Sequence, residues 1–265
     1  MLQIRAKILY NKRIKDNYFH LVLRAPKIAK ESLPGQFLNI KVSDTDEPLL
    51  RRPFSIHRVK GANIEILYEV VGEGTKILSQ RKAAESLDTI GPLGNGFDYQ
   101  LPHACRQAGI TSYQLPILIG GGMGVAPLLF LAEKLAKRKN IVLLGAKTKN
   151  RVLCAKEFKD LGFEVEISTD DGSSGFKGKV TDLLRDILRT TEDRRRSTIY
   201  ACGPRLMVKE ISRISKKHKI SAQLSLEEHM ACGLGACLGC AVKTKNGFQR
   251  VCKEGPVFKA DEIIW

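Results

Sequence analysis

Four cysteines near the end of this chain constrain it more than any other feature. Cys232, Cys237 and Cys240 follow the spacing C-x4-C-x2-C, and Cys252 comes after eleven further residues. Four of the seven cysteines thus fall inside a single 21-residue window. Thiolates at this spacing are what a plant-type [2Fe–2S] cluster requires. The short gaps let three sulfurs converge from one loop, and the fourth returns from the far side of a hairpin. Gly233, Gly235 and Gly239 let the loop fold tightly and turn backbone N–H groups towards the sulfurs, which tunes a cluster's potential. The alternative is a structural zinc site of four cysteines. Zinc ribbons, however, usually carry two C-x2-C knuckles, and here there is one. Four unrelated buried thiols are the third reading. Cys105 and Cys154 read as packed or free thiols.

The remainder of the chain is ordinary for a globular protein. Its 265 residues make two domains the prior. A content of 43% hydrophobic and 27% charged residues excludes a disordered chain, a collagen-like chain and a polytopic membrane protein. Residues 115–132 carry no charge, but glycines and prolines interrupt them, so a buried strand, a glycine turn and a helix start fit better than a membrane span. An odd cysteine count, and an N-terminus of mixed charge with too few apolar residues for a signal peptide, point to a reduced, cytoplasmic protein.

The texture changes along the chain. Residues 36–42 and 64–71 read as strands between Pro-Gly, Gly-Ala and Gly-Pro-Leu-Gly turns, which predicts a small antiparallel barrel. Residues 102–114 look like a linker. Apolar strands are then expected at 116–119, 141–144, 165–168 and 198–201, alternating with helices at 126–139, 181–188 and 206–218. That alternation predicts an α/β domain with an open parallel sheet covered on both faces. The expected division is 1–101 for the barrel, 112–222 for the parallel-sheet domain and 223–265 for a small cysteine-bearing subdomain.

Gly120, Gly121, Gly122 and Gly124 follow the first strand of the second domain and open a helix, with Pro127 in its first turn. Glycines there let the backbone approach a pyrophosphate, and the helix N-terminus offers it N–H groups and a positive dipole end. No acidic residue sits about twenty positions on, where an NAD ribose partner is expected. Lys147, Lys149 and Arg151 lie there instead, facing either a 2′-phosphate or solvent. Cys202, Gly203 and Pro204 follow the last strand of the same sheet and should line the same crevice. In the barrel, Arg52 is suited to a pyrophosphate and Ser55 to a flavin or phosphate oxygen. Gly74 and Thr75 can supply backbone N–H groups to phosphate.

In this order, Arg52-Pro53-Phe54-Ser55, Gly74-Thr75, residues 120–127, and Cys202-Gly203-Pro204 with Met207 resemble the ferredoxin–NADP+ reductase-like proteins. The tail, Glu227-Glu228-His229-Met230-Ala231-Cys232 through Cys240, is similar to one branch of them, the electron transfer subunits of class 1B dihydroorotate dehydrogenases. The resemblance covers essentially the whole chain. It implies an FAD-binding barrel, an NAD-binding α/β domain and a C-terminal [2Fe–2S] subdomain. It also implies an FMN-containing dihydroorotate dehydrogenase catalytic subunit as partner, in a heterotetramer of two copies of each. FAD would be held by Arg52, Pro53, Phe54 and Ser55, by Leu67, Tyr68 and Glu69, and by Gly74 and Thr75. NAD would lie at Gly120, Gly121, Gly122 and Gly124 with Cys202 and Gly203. The cluster ligands would be Cys232, Cys237, Cys240 and Cys252. The expected role is electron transfer from the partner's FMN through the cluster and FAD to NAD+, in pyrimidine (UMP) biosynthesis. No nucleophile constellation stands out.

The formal charge of +16 is uneven. Residues 134–219 hold 22 of the 44 basic residues but only 11 of the 28 acidic ones, so most of the excess lies there. With only four aromatics there (Phe158, Phe163, Phe176 and Tyr200) and a short basic run at Arg194 to Arg196, this reads as a solvated face that steers anionic nucleotides rather than as a nucleic-acid platform. The rival readings are a related flavin/iron–sulfur subunit, of a ferredoxin:NADP+ oxidoreductase or a sulfide dehydrogenase, and a basic zinc-binding nucleic-acid module.

Overall fold

A computed structural model describes residues 1–99, 115–135, 140–190 and 197–265. The linker expected at 102–114, Cys105, the last positions of the helix expected at 126–139 and the basic run at 194–196 lie outside the described residues. The chain divides into two compact units, Met1–Gly96 with Glu227–Val257, and Phe97–Leu226 with Phe258–Trp265.

In the first unit, β1 (Leu2–Lys15) alternates. Ala6 and Ile8 are buried while Gln3, Arg5 and Lys7 face out, the two-residue period of a half-buried strand. It is followed by β2 (Tyr18–Arg24), α1 (Pro26–Glu31), β3 (Phe37–Lys41), β4 (Arg52–Ser55), β5 (Arg58–Lys60), β6 (Asn63–Glu69), α2 (Glu73–Gln80) and β7 (Ser86–Leu93). The strands form one antiparallel sheet in the order β4-β3-β7-β1-β2-β6-β5. The sheet curls so that β4 meets β6, with the Phe54 and Tyr68 rings edge to face at 5.7 Å. Leu21, Leu23, Leu38, Ile40, Ile56, Ile64 and Ile66 fill its interior.

The second unit holds β8 (Leu115–Gly121), α3 (Ala126–Leu135), β9 (Ile141–Ala146), α4 (Ala155–Asp160), β10 (Glu164–Thr169), β11 (Phe176–Lys177), α5 (Val180–Thr190), β12 (Ser197–Cys202), α6 (Arg205–His218) and β13 (Ser221–Ser225). The pairs from β11 through β13 are parallel, in the order β11-β10-β9-β8-β12-β13. The order reverses between β8 and β12, which puts a crevice at their carboxyl ends. The uncharged run at 115–132 becomes β8, a 3-10 turn at Gly122–Val125 and most of α3. Leu128 to Ala132 are buried, as a helix apolar on every side must be. Among the described residues no helix is long and apolar enough to cross a membrane.

The tail adds the antiparallel hairpin β14 (Ala241–Thr244) and β15 (Gly247–Arg250). It ends with β16 (Val257–Lys259), which joins the second sheet beside β13.

Candidate functional site

Three groups of side chains and backbone atoms stand out. The first is the cysteine loop. Cys240 ends the loop at the entrance to β14, and Cys252 follows β15, so the hairpin returns one sulfur beside the other. Val251 N–H donates to Cys240 O at 3.0 Å, and Cys252 N–H to Cys240 Sγ at 3.4 Å. Gly239 N–H donates to Cys237 Sγ at 3.4 Å, and Leu234 N–H to Cys232 Sγ at 3.3 Å. Cys232 lies beside Cys237 and Cys252 beside Cys240, with Cys232 acting on Cys252 as well. Cys240 and Cys252 are buried, whereas Cys237 is exposed.

The thiols respond to these surroundings. Desolvation acts to raise Cys232. The N–H groups of Leu234, Cys237 and Ala236, together with the Cys237 thiol, outweigh it and hold Cys232 down at about 6. Burial and the adjacent Cys240 sulfur push Cys252 up to about 12. Four such thiols become thiolates together only around a compensating cation. A lone zinc needs four donors at one point, whereas a two-iron cluster takes two thiolates per iron. Four thiols, with N–H donors at the sulfurs of Cys232, Cys237 and Cys240, fit the donor set of [2Fe–2S].

The loop is anchored from outside. Asn39, on β3 and 1% exposed, donates from Nδ2 to Cys232 O at 3.0 Å. Gly233, at φ +68°, passes so close that a Cβ there would lie 3.0 Å from Asn39 Cγ. Asn39 also pairs in register with Pro53 of β4. Arg250 Nη1 donates to Gly235 O at 2.7 Å, while its Nε meets Glu254 Oε2 at 2.9 Å and its Nη2 pairs with Glu254 Oε1. Hydrogen bonds from Arg250 hold the Glu254 carboxyl at about 2. Sequence reasoning missed all three residues. An Asn in the apolar run Phe37-Leu38-Asn39-Ile40, and an Arg and a Glu four apart around Cys252, were the available signals.

The second group lies on the barrel. A Cβ on Gly74 would lie 2.6 Å from Arg52 Nε, so the guanidinium stands directly over the first turn of α2. Thr75 Oγ1 accepts the N–H of Val71 at 3.0 Å and of Gly72 at 3.2 Å, capping that turn. Beside Arg52, Pro53 and Ser55 pair with Asn39 and Phe37. Leu67 and Tyr68 are buried on β6, and Glu69 accepts from Asn17 Nδ2 at 2.9 Å. The Tyr68 ring stacks on Phe19 at 5.5 Å, and its hydroxyl donates to Asn11 Oδ1 at 3.0 Å. Burial, partly offset by that bond, pushes the Tyr68 hydroxyl well above the usual phenol range. An arginine above a capped helix N-terminus suits a pyrophosphate, and the buried aromatic wall beside it suits a flat ring system.

The third group joins two loops of the second unit. Cys202 pairs with Gly120 at the ends of β12 and β8. A Cβ on Gly121 would lie 2.5 Å from Met207 Sδ, and one on Gly124 would meet the Cys202 carbonyl and lie 2.5 Å from Gly203 Cα. A Cβ on Gly122, at φ +53°, would meet nothing within 4 Å, so that peptide is open on its outer side. The two loops that the sequence placed at one crevice are thus in contact. Cys202 is buried there. Cys154, partly exposed, sits before α4 at φ +61°.

A curled antiparallel barrel, a parallel sheet with a glycine turn at its switch point and a four-sulfur loop define the class. This is an NAD-linked, iron–sulfur oxidoreductase of the ferredoxin–NADP+ reductase-like fold. The family model described as oxidoreductase NAD-binding domain matches residues 118–213. That described as iron-sulfur cluster binding domain of dihydroorotate dehydrogenase B matches residues 227–264. A dihydroorotate dehydrogenase B (NAD+) electron transfer subunit from Desulforamulus reducens is 42% identical over 269 residues, covering 98% of this chain and 97% of that protein. The solved structure of an NADH-dependent reduced ferredoxin-NADP oxidoreductase, studied for flavin-based electron bifurcation, aligns with a TM-score of 0.84 at 28% identity, over 99% of this chain and 90% of that one. A ferredoxin NADP+ reductase from Neisseria gonorrhoeae with bound FAD and NADP shares the fold at TM-score 0.66 and 15% identity, over 81% of this chain and 91% of its own. The chain belongs to the family of dihydroorotate dehydrogenase B (NAD+) electron transfer subunits.

Proposed function

We propose that this chain moves electrons from the FMN of a dihydroorotate dehydrogenase catalytic subunit to NAD+, through a [2Fe–2S] cluster and FAD. Bound flavin supplies the exchange between hydride transfer and single-electron transfer that links nicotinamide to an iron–sulfur group. Oxidation of one dihydroorotate to orotate releases two electrons and two protons; NAD+ takes both electrons and one proton, and the other proton goes to solvent. Arg52 and the first turn of α2, with Gly74 and Thr75, receive the FAD pyrophosphate. Pro53, Phe54, Ser55 and the edge formed by Leu67, Tyr68 and Glu69 hold its ring system. Gly120, Gly121, Gly122 and Gly124 receive the NAD pyrophosphate, and Cys202 and Gly203 bound the nicotinamide. Cys232, Cys237, Cys240 and Cys252 are the iron ligands. The assembly is two copies of each subunit, in the cytoplasm, serving pyrimidine biosynthesis.

The observation that carries this reading is the four-sulfur loop, its pairs supplied with N–H donors, on the same compact unit as the Arg52–Ser55 strand. Anaerobically purified chain, alone and co-expressed with its partner, is the test. Two irons, two acid-labile sulfides and one FAD per chain, with dihydroorotate-dependent NADH formation by the complex, are expected. Colourless protein loaded with zinc overturns the reading. Likeness to the NADH-dependent ferredoxin-NADP oxidoreductase over 99% of the chain keeps a second reading in play, a subunit serving a ferredoxin-linked partner. The identity of the co-purifying flavoprotein separates the two.

A further inference from the structure

We infer that Arg250 is a positioning residue. It fixes the peptide between Gly235 and Ala236 so that N–H groups on both sides of Gly235 face the sulfurs, and so sets the reduction potential of the bound cluster. The inference rests on the ligand assignment proposed above.

Gly235 is the pivot of the loop. Its own N–H is turned towards Cys252. The next N–H, that of Ala236, is turned towards Cys232, to which the Leu234 N–H donates at 3.3 Å. Between these donors lies a single carbonyl, Gly235 O, and Arg250 Nη1 holds it at 2.7 Å. The peptide is trans, so its C=O and N–H point in opposite directions. Holding the carbonyl outward therefore keeps the Ala236 N–H turned inward, and the charge on the guanidinium polarises the same peptide.

Arg250 has little freedom to do anything else. Its Nε and Nη2 are engaged by the Glu254 carboxylate, which also accepts the Arg250 backbone N–H at 2.7 Å. The alkyl stem of Lys253 covers Gly235, where a Cβ would lie 2.7 Å from Lys253 Cδ, and Gly235 itself sits at φ +83°. A cation and a set of fixed N–H dipoles favour the form of the cluster carrying one more negative charge. Their loss moves the midpoint potential downwards.

The experiment is an EPR-monitored redox titration of the intact two-subunit complex, comparing wild type with Arg250→Met, Arg250→Lys and Glu254→Gln. Arg250→Met is expected to give a more negative midpoint and altered g-values at full iron and sulfide content. Arg250→Lys recovers part of the potential but not the g-values, because an ammonium keeps the charge and lacks the planar fork. Glu254→Gln frees the fork while leaving the Arg250 charge in place, and is expected to alter the g-values at full iron and sulfide content. Should Arg250→Met fail to retain iron, Arg250→Lys and Glu254→Gln decide the matter. A fully loaded Arg250→Met at the wild-type potential, or loaded Glu254→Gln and Arg250→Lys both with wild-type g-values, overturns the role of Arg250. A wild-type chain without iron or sulfide overturns the ligand assignment beneath it.

Discussion

Two glycines illustrate how differently one methyl group acts on this chain. At Gly74 the added Cβ would press on the far end of a flexible side chain, the Arg52 guanidinium. The arginine can swing away, so Gly74→Ala should fold with near wild-type stability but lose its phosphate clamp. The expected result is FAD binding weaker by roughly tenfold, about 1.4 kcal/mol, read from flavin fluorescence on dilution, with an unchanged melting temperature. At Gly124 the added Cβ would press on the Cys202 carbonyl and on Gly203, which are backbone and cannot swing. Overpacking of that kind costs about 1–3 kcal/mol. Gly124→Ala should raise the Kd for NADH while the visible absorption of the protein stays as in wild type; unchanged NADH affinity would remove this loop from the nucleotide site. Asn39 shows why single residues escaped the sequence reading. A buried amide in an apolar strand signals a partner, but nothing near it in the chain says that the partner is the Cys232 carbonyl, 193 positions away.

Among the elements, the cysteine hairpin was the most legible, because covalent chemistry fixes its spacing. The glycine turn was legible too, since β8, the turn and α3 follow one another without interruption. Helix α2 was read only as a phosphate loop after a strand, for its glycines hide the helical period and its cap is formed by Thr75 reaching back to Gly72 and Val71. Thr75→Ala should cost about 1 kcal/mol and loosen FAD, with Thr75→Ser restoring both; thermal melts and flavin retention on gel filtration check this. Strand β1 was missed although Leu2-Gln3-Ile4-Arg5-Ala6-Lys7-Ile8 alternates in polarity, because that stretch was weighed only as a candidate signal peptide. On β7, burial acts to raise the Asp88 carboxyl, but hydrogen bonds from Arg51 at 2.5 Å and from Gln3 outweigh it and hold the carboxyl below its ordinary range. A carboxylate with a depressed folded-state pKa contributes stability above its unfolded value, and that contribution fades as pH falls through the folded one. Melting temperatures measured from pH 6 down to pH 3 should therefore fall more steeply for wild type than for Asp88→Asn. Parallel curves would show that the Arg51 pair contributes nothing.

Over the whole molecule, the change from β-rich to alternating texture was enough to read the fold class, because hydrophobic period is a local property. The grouping of Glu227–Val257 with Met1–Gly96 has no local signature, since it depends on contacts between the two ends of the chain. Division of labour among the bound groups yields a further expectation. Cys252→Ser should lose the iron–sulfur absorption and dihydroorotate-driven NADH formation, yet keep FAD and the NADH-driven reduction of ferricyanide. Loss of the ferricyanide activity together with the iron would show that the flavin site cannot form without the cluster loop.

The unit built from both ends of the chain also has a temporal meaning. A ribosome delivers Met1–Gly96 before the strands β8 to β13 of the parallel sheet, and the strip carrying the sulfurs after them. For most of synthesis Asn39 therefore waits without the carbonyl it will hold. With the proposed ligand set, metal loading comes after translation of that strip, and a message truncated before Cys252 cannot supply the fourth sulfur.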